Sequence, residues 1–451
     1  MQATESASRL PRMIGVKTAT AYVIANMIGT GIFMTSGIVA SQLPDSGWVI
    51  LCWIIGGIIA LAGALCYGEL ATRIPQNGGE YLYLSRLFHP SVGFLSGWTS
   101  LVVGFSAPIA ASSVACVLYL MASMGMESIA ATGTTLLNVQ KGMAILLIVT
   151  FTGIHYAGHR VGSFAQNILT GAKVMLIVGL AAAGLISGTG DGSSISFGTS
   201  YTGEVAWGTA ILLVMFAYSG WNASSYIAGE LRNPRFSIPV SLFTGTIIVI
   251  ILYVAVNLFI FRSAPYSELQ GVLTIVEVAT RKVFGDWAGD FLSVIVGVGL
   301  LSSVSAFIMI GPRVYSAMAQ NGQFLRWVAD VHPRFKVPGK SLILQGVLAS
   351  IMVAIGTFEQ LLVYLGFALS IFPALAVAGL FLARRRHIGD DTAVGTWGYP
   401  ATPLLFLVSM VVLMVVAFMN RPFESTCAII TVALGIPVYW LFVHEPKRAI
   451  D

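Results

Sequence analysis

Two polar interruptions inside apolar stretches carry the residue types from which a binding site can be built. The first is Ala25-Asn26-Met27-Ile28-Gly29-Thr30-Gly31-Ile32-Phe33, where two glycines and a threonine break an apolar run. The second is Met215-Phe216-Ala217-Tyr218-Ser219-Gly220-Trp221-Asn222-Ala223-Ser224, where Ser, Gly and Asn do the same near the middle of another. A helix broken at membrane depth frees backbone groups that lipid cannot satisfy, so the break must face protein or a ligand. N–H groups freed near Thr30 and Gly31 carry partial positive charge and suit a carboxylate. Carbonyls freed near Met27, Phe216 and Ser219 suit an ammonium. Together they describe a zwitterion site with no charged side chain. Taken alone, Gly-Thr-Gly reads more simply as close helix packing, since glycines are common in membrane helices. The second break reverses that reading.

The elements that must position these breaks follow from composition. The chain has 451 residues, 56% of them hydrophobic and 10% charged, with a mean hydropathy of +0.85. A soluble domain carries roughly 25% charged residues, so the composition indicates an all-α integral membrane protein with function inside the bundle. At about 20 apolar residues per crossing, spans are expected at 14–40, 47–72, 90–124, 138–156, 163–187, 205–229, 237–262, 287–319, 341–356, 359–383, 400–419 and 425–443. This reading gives 12 transmembrane helices in one domain at 14–443, with short tails at 1–13 and 444–451. No cleavable signal peptide is expected in the polar residues 1–13. Cys52, Cys66, Cys116 and Cys427 all fall in apolar segments and read as small buried residues, neither metal ligands nor disulfides.

Charge orients the set. With the N-terminus cytoplasmic, eighteen Lys and Arg fall on that side and five (Lys141, Arg262, Arg281, Lys282, Arg421) on the other. The positive-inside rule then puts both termini in the cytoplasm of a multi-pass cell-membrane protein and accounts for the net charge of +5. Arg384-Arg385-Arg386-His387 reads as the flank of the tenth span. Because the breaks fall in spans 1 and 6, residues 14–187 and 205–383 form two five-span halves, the second inverted because five is odd, followed by two extra helices at 400–443. Paired discontinuous helices in inverted halves point to the midplane site of a secondary transporter. Residues 91–125, 291–312 and 360–383, the expected walls, contain no Asp, Glu, Lys or Arg. An unpaired buried charge is costly, so the cargo's side chain is expected to be neutral.

Lys173 lies about ten residues into the fifth span and belongs to neither side. It either snorkels to the interface or is a buried ammonium that needs acceptors. Glu69, Glu80 and Glu230 lie beside Arg73, Arg86 and Arg232 at cytoplasmic helix ends, which fits either gate-closing salt bridges or exposed pairs. His155 and His159 are four apart but have no carboxylate or cysteine beside them, so interfacial anchoring is expected and no metal site. Glu277, Asp286 and Asp290, interleaved with Arg281 and Lys282, look like a solvated face. No Walker loop, GxSxG or HExxH occurs, so neither ATP-driven transport nor hydrolysis has a motif, and no cofactor or nucleic-acid partner is expected.

Ile28-Gly29-Thr30-Gly31-Ile32-Phe33, Tyr67-Gly68-Glu69-Leu70 with Ile74-Pro75-Gln76-Asn77-Gly78-Gly79-Glu80-Tyr81, and Phe216-Ala217-Tyr218-Ser219-Gly220-Trp221-Asn222 with Glu230-Leu231-Arg232-Asn233-Pro234 resemble the amino acid, polyamine and organocation (APC) superfamily of permeases. The Phe-Ala-Tyr-small-Gly-Trp-Asn string is most similar to the L-type amino acid transporter branch, and weaker likeness extends over nearly the whole chain. The resemblance implies a five-plus-five inverted repeat with two extra helices, and alternating access. It also implies that the backbone at Met27, Thr30, Gly31, Phe216, Ala217 and Ser219 holds an α-carboxylate and α-amine, with Phe216 as a gate and Trp221 and Asn222 nearby. Ile28, Gly29, Tyr218 and Gly220 complete the candidate substrate-binding stretches. By the same resemblance Lys173 stands where sodium sits in sodium-coupled relatives, bridging spans 1 and 8, so sodium coupling is not expected. Animal members of that branch pair with a glycoprotein through a cysteine in the loop after span 3. Here that loop, residues 124–138, has none, so a disulfide-linked heavy subunit is not expected and a stand-alone bacterial type fits better. The expectation is a secondary transporter of neutral amino acids, working as an exchanger or a proton symporter. The alternatives are a permease for another amine, polyamine or organic cation, and a substrate-sensing receptor on the same scaffold.

Overall fold

The computed structural model describes residues 12, 14–76, 78–125, 134–157, 171–182, 195–198, 205–320, 322–330, 332, 335, 337–356 and 358–443. The two tails, most of the 124–138 and 187–204 loops, His159 and the first part of the expected fifth span lie outside the described residues. Among those described, the protein is helical with no named strand, as expected where each backbone group in lipid must find its partner within its own segment. Among the described residues eight helices are long and apolar enough to span a membrane, or nine when the bent pair is counted as one span. Three shorter apolar helices accompany them.

The bent pair is the first interruption. Helix α1 (Val16–Met27) ends where Ile28 turns to extended backbone and Gly29 continues it. Helix α2 (Thr30–Ala40) restarts at 40° to it. Every residue of α2 is buried, whereas α1 buries only Ala19, Val23 and Met27. Helix α3 (Ser46–Arg73) follows, capped by Asp45, whose carboxylate accepts the Ser46 N–H at 2.7 Å and the Gly198 N–H at 3.0 Å. Short helix α4 (Gly79–Leu87) lies between the second and third expected spans, after Pro75 and two glycines at positive φ.

The third span is itself irregular. Helices α5 (Pro90–Thr99) and α6 (Ser106–Ala122) are joined by a π-helical turn at Ser100–Phe105. Pro108 has no N–H to give to the carbonyl four residues back, which helps to explain why the wider turn sits there. Helices α7 (Thr134–Tyr156) and α8 (Gly171–Ala182) follow.

The second interruption falls between α9 (Trp207–Ala217) and a 3₁₀ segment at Ala223–Glu230, with turn geometry between them. The chain then continues as α10 (Pro234–Ser263), α11 (Ile275–Phe284), α12 (Asp286–Gln320), α13 (Gly339–Ile355), α14 (Phe358–Arg385), α15 (Ala401–Asn420) and α16 (Pro422–Val443). Helix α10 packs along α1 and α3, and α12 along α6, which brackets the two interruptions between long helices. Residues such as Leu404, Val408, Val411 and Val415 on α15 stay exposed, as a lipid-facing surface requires.

Candidate functional site

The two breaks meet. The Tyr253 hydroxyl on α10 sits 2.7 Å from the Met27 carbonyl and 3.2 Å from the Ala217 carbonyl, bridging the last residues of α1 and α9. Gly31 lies so close to Ala217 that an added Cβ would fall 2.4 Å from its Cα. Gly220 adopts φ +97°, and a Cβ there would sit 2.8 Å from the Asn26 carbonyl oxygen. Glycine is required twice, for close approach and for a left-handed turn.

Beside this junction lies a cavity of about 140 Å³. Tyr22 and Asn26 line it from α1, Ser100, Gly104, Phe105 and Pro108 from the irregular third span, and Ser219, Gly220, Trp221 and Asn222 from the second break. Phe307 and Ile310 on α12 and Leu369 and Pro373 on α14 close the other wall. The π turn thus opens one side of the cavity, and the break supplies polar backbone to another. A larger recess of about 670 Å³ between α7 and α13 is lined mainly by Ile and Val. It lacks the convergent polar groups that a small polar ligand needs.

The sequence-derived stretches are divided by the structure. Ser219, Gly220, Trp221 and Asn222 line the cavity, while Phe216 borders an adjoining pocket of about 40 Å³ with Ser219 and Trp221. Met27 and Ala217 are held by Tyr253. Tyr218 turns away, donating its hydroxyl to the Trp53 carbonyl at 3.0 Å and packing against Trp53 and Tyr253. Ile28, Gly29, Thr30 and Gly31 do not line the cavity, which lies toward the N-terminal half of the first span. Ile28 and Thr30 are buried.

Lys173, 2% exposed, does not snorkel. Its Nζ donates to the Ala25 carbonyl at 3.3 Å and to Ser303 Oγ at 3.2 Å, joining α8 to α1 and α12. A buried ammonium needs such acceptors.

Sequence reasoning missed Glu80 as a cavity group, because it lies on the short helix between spans 2 and 3, outside the charge-free spans 3, 8 and 10 expected to form the walls. Glu80 lines the cavity and is buried. Its Oε1 accepts from Tyr67 Oη at 2.9 Å and Asn222 Nδ2 at 2.8 Å, and Tyr226 adds a third hydrogen bond. The expected partner Arg86 donates instead to Gln76 Oε1 at 2.7 Å. The available signal was Gly78-Gly79, both at positive φ, at the start of the short helix that carries Glu80.

The other expected pairs resolve individually. Glu69 accepts from Arg73 Nε at 2.9 Å, from Arg384 through both a 2.8 Å and a 2.5 Å bond, and from the Thr396 N–H and hydroxyl at 2.7 and 2.8 Å. The Glu230 side chain lies outside the described residues. Glu277 is buried, not solvated, and Arg281 gathers it with Asp286 and Asp290. His155 is buried rather than interfacial, with its Nε2 2.9 Å from Ser305 Oγ. Among the described residues no group of three or more His, Cys, Asp or Glu could hold a metal ion.

The sequence profile of a family described as amino acid permease matches residues 14–442. The chain is 29% identical over 442 residues to the serine/threonine exchanger SteT of Bacillus subtilis (strain 168), covering 96% of this chain and 97% of that protein. It is 26% identical over 443 residues to the human b(0,+)-type amino acid transporter 1, covering 96% and 88%. It is 25% identical over 452 residues to the mouse Asc-type amino acid transporter 1, covering 97% and 83%.

Proposed function

The chain belongs to the amino acid permease family, within the APC superfamily, and from that premise we propose that it moves neutral amino acids across the cell membrane by alternating access. It is a multi-pass membrane transporter and not an enzyme. The observation that carries the proposal is the meeting of two interrupted helices beside a cavity of about 140 Å³, with Tyr253 bridging their ends. Backbone groups at the ends of broken helices can receive both ends of a zwitterion. The names of the relatives support amino acids as the cargo class.

The bent pair and the three shorter apolar helices, beside the eight long ones, support the reading of twelve spans in a five-plus-five inverted repeat with two extra helices. With both termini cytoplasmic, the cavity lies on the cytoplasmic side of the breaks. In this reading the substrate's α-carboxylate meets the N–H groups at the start of α2 and its α-amine meets the carbonyls around the second break. Phe216 covers the site and Trp221 and Asn222 shape its wall, while Ile28, Gly29, Thr30 and Gly31 lie behind it at the first break and Tyr218 anchors the second break to Trp53. The transporter works without sodium and without a disulfide-linked heavy subunit.

Lys173 is the coupling residue, its ammonium taking the place of a cation between α1 and α12. The distances from its Nζ to Ala25 and Ser303 support this. If it titrates during the cycle the result is proton symport, and if it stays charged the result is exchange. Lys173→Ala is expected to abolish or uncouple transport in a protein that still elutes as a folded species. Wild-type rates and pH dependence in that variant would remove the coupling role.

A permease for another amine or organic cation gains from one observation, Glu80 in the cavity lining. Its hydrogen bonds are already filled by three protein donors, which favours a neutral cargo. Counterflow and uptake in proteoliposomes, with a panel of radiolabelled amino acids and amines and with or without a pH gradient, test the reading. Accumulation driven by the gradient alone establishes symport, and efflux that requires external amino acid establishes exchange. Transport of amines alone would replace the main reading, and transport of neither class would remove it.

A further inference from the structure

Glu80 is a carboxyl buried where a transporter could use it. It stands on α4, reaches α3 through Tyr67, and reaches the inner half of the sixth segment through Asn222 and Tyr226. Asn222 and Tyr226 line the same cavity, so one side of this cluster faces the space a substrate would enter. The titratable groups facing it are the phenols of Tyr67, Tyr83 and Tyr226. Among the described residues no cation is paired with it. Helix α5, packed on α4, carries no charged residue. On α14, also packed there, Arg384 is occupied by Glu69, which lies with Arg73 on α3.

We propose that Glu80 is a proton-binding site on the cavity wall, and that its protonation releases the inner half of the sixth segment from α3 and α4. The inference rests on the transport reading above. An ionised carboxylate only accepts, and hydrogen bonds to it are roughly twice as strong as neutral ones. A proton arriving from the cavity binds one carboxylate oxygen, turns that oxygen into a donor and weakens the bonds from Asn222 and the two tyrosines. Asn222 Nδ2 has no lone pair to accept in return. The Asn222–Glu80–Tyr67 tie therefore holds at high pH and loosens at low pH. Burial, outweighing the hydrogen bonds from Tyr67, Tyr226 and Asn222, pushes the Glu80 carboxyl up to about 7, so the change falls near neutrality. This site is distinct from Lys173, which lies between α8, α1 and α12.

Infrared spectroscopy of the purified full-length protein reads the site without transport. The carbonyl band of a protonated carboxylic acid, followed against pH, is expected to titrate near neutrality in the wild type and to be missing in Glu80→Gln. A wild type with no such band, or a Glu80→Gln protein that keeps it, overturns the proposal. In proteoliposomes, counterflow of radiolabelled L-serine is expected to rise as the pH falls through about 7 in the wild type. It is expected to become independent of pH in Glu80→Gln, whatever its absolute rate. A Glu80→Gln protein that exchanges L-serine with the wild-type pH profile also overturns it. If Glu80→Gln fails to elute as a folded species, Glu80→Asp is measured instead. A shifted carboxylic-acid titration supports the site, and a titration unmoved from the wild type overturns it. Absence of transport for every amino acid, with the infrared titration intact, counts against the transport reading and leaves the proton site standing.

Discussion

Gly220 concentrates two constraints in one residue. Its φ of +97° is left-handed, and the missing Cβ is what lets Asn26 approach. The backbone conformation alone costs a residue with a Cβ roughly 1–2 kcal/mol, and the contact with Asn26 adds to it. Gly220→Ala is expected to lower thermal stability and abolish counterflow, read by elution of the heated protein and by proteoliposome exchange. A variant that exchanges at the wild-type rate would show that the close approach is dispensable. The residues that surround this glycine were visible in the sequence as a polar interruption. That Tyr218 would turn outward to Trp53 while Asn222 turned to Glu80 was not, because neighbouring residues in a turn point in directions that the turn type decides.

Broken elements need other elements to hold them. The first and sixth segments are tied by Tyr253 at the breaks, and the start of α1 is tied to the far end of the 3₁₀ segment by the Ile14–Leu231 bridge, with the Arg232 N–H donating to the Ile14 carbonyl at 3.0 Å. Glu69 does the equivalent work for α3, α14 and the loop carrying Thr396. Its side chain is 1% exposed while that of Arg384 is 28% exposed. Removing one partner of a buried pair costs 3–5 kcal/mol when the other is fully buried. With Arg384 partly in solvent, Glu69→Gln is expected to cost on the order of 2 kcal/mol. Thermal unfolding in detergent measures this, and an unchanged transition would show that the ion pair adds nothing to the element it joins. The Glu69–Arg73 spacing announced an i,i+4 pair in advance. Arg384 and Thr396, more than three hundred positions away, did not.

For the molecule as a whole, the charge asymmetry is the feature with the widest consequence, because orientation decides which side the cavity opens toward. In a Cys427→Ser background, Trp287→Cys, at a site 72% exposed at the outer end of the eighth expected span, should react with a membrane-impermeant maleimide on intact cells. Arg386→Cys should react only after permeabilisation. The opposite pattern would invert the orientation and put the cavity on the outer face. The other three cysteines are buried and give little background.

Composition and pattern were enough to establish a membrane-spanning helical protein and to mark two interrupted segments, because lipid forces every backbone group to be satisfied locally and makes each exception visible. They were also enough for the family strings. What depended on tertiary structure was which side chains enter the cavity. Tyr22 and Asn26 line it, while Gly29, Thr30 and Gly31 do not. Glu80 reaches it from a short helix whose position depends on two positive-φ glycines. Such placements depend on how distant segments pack, and local periodicity carries no record of that.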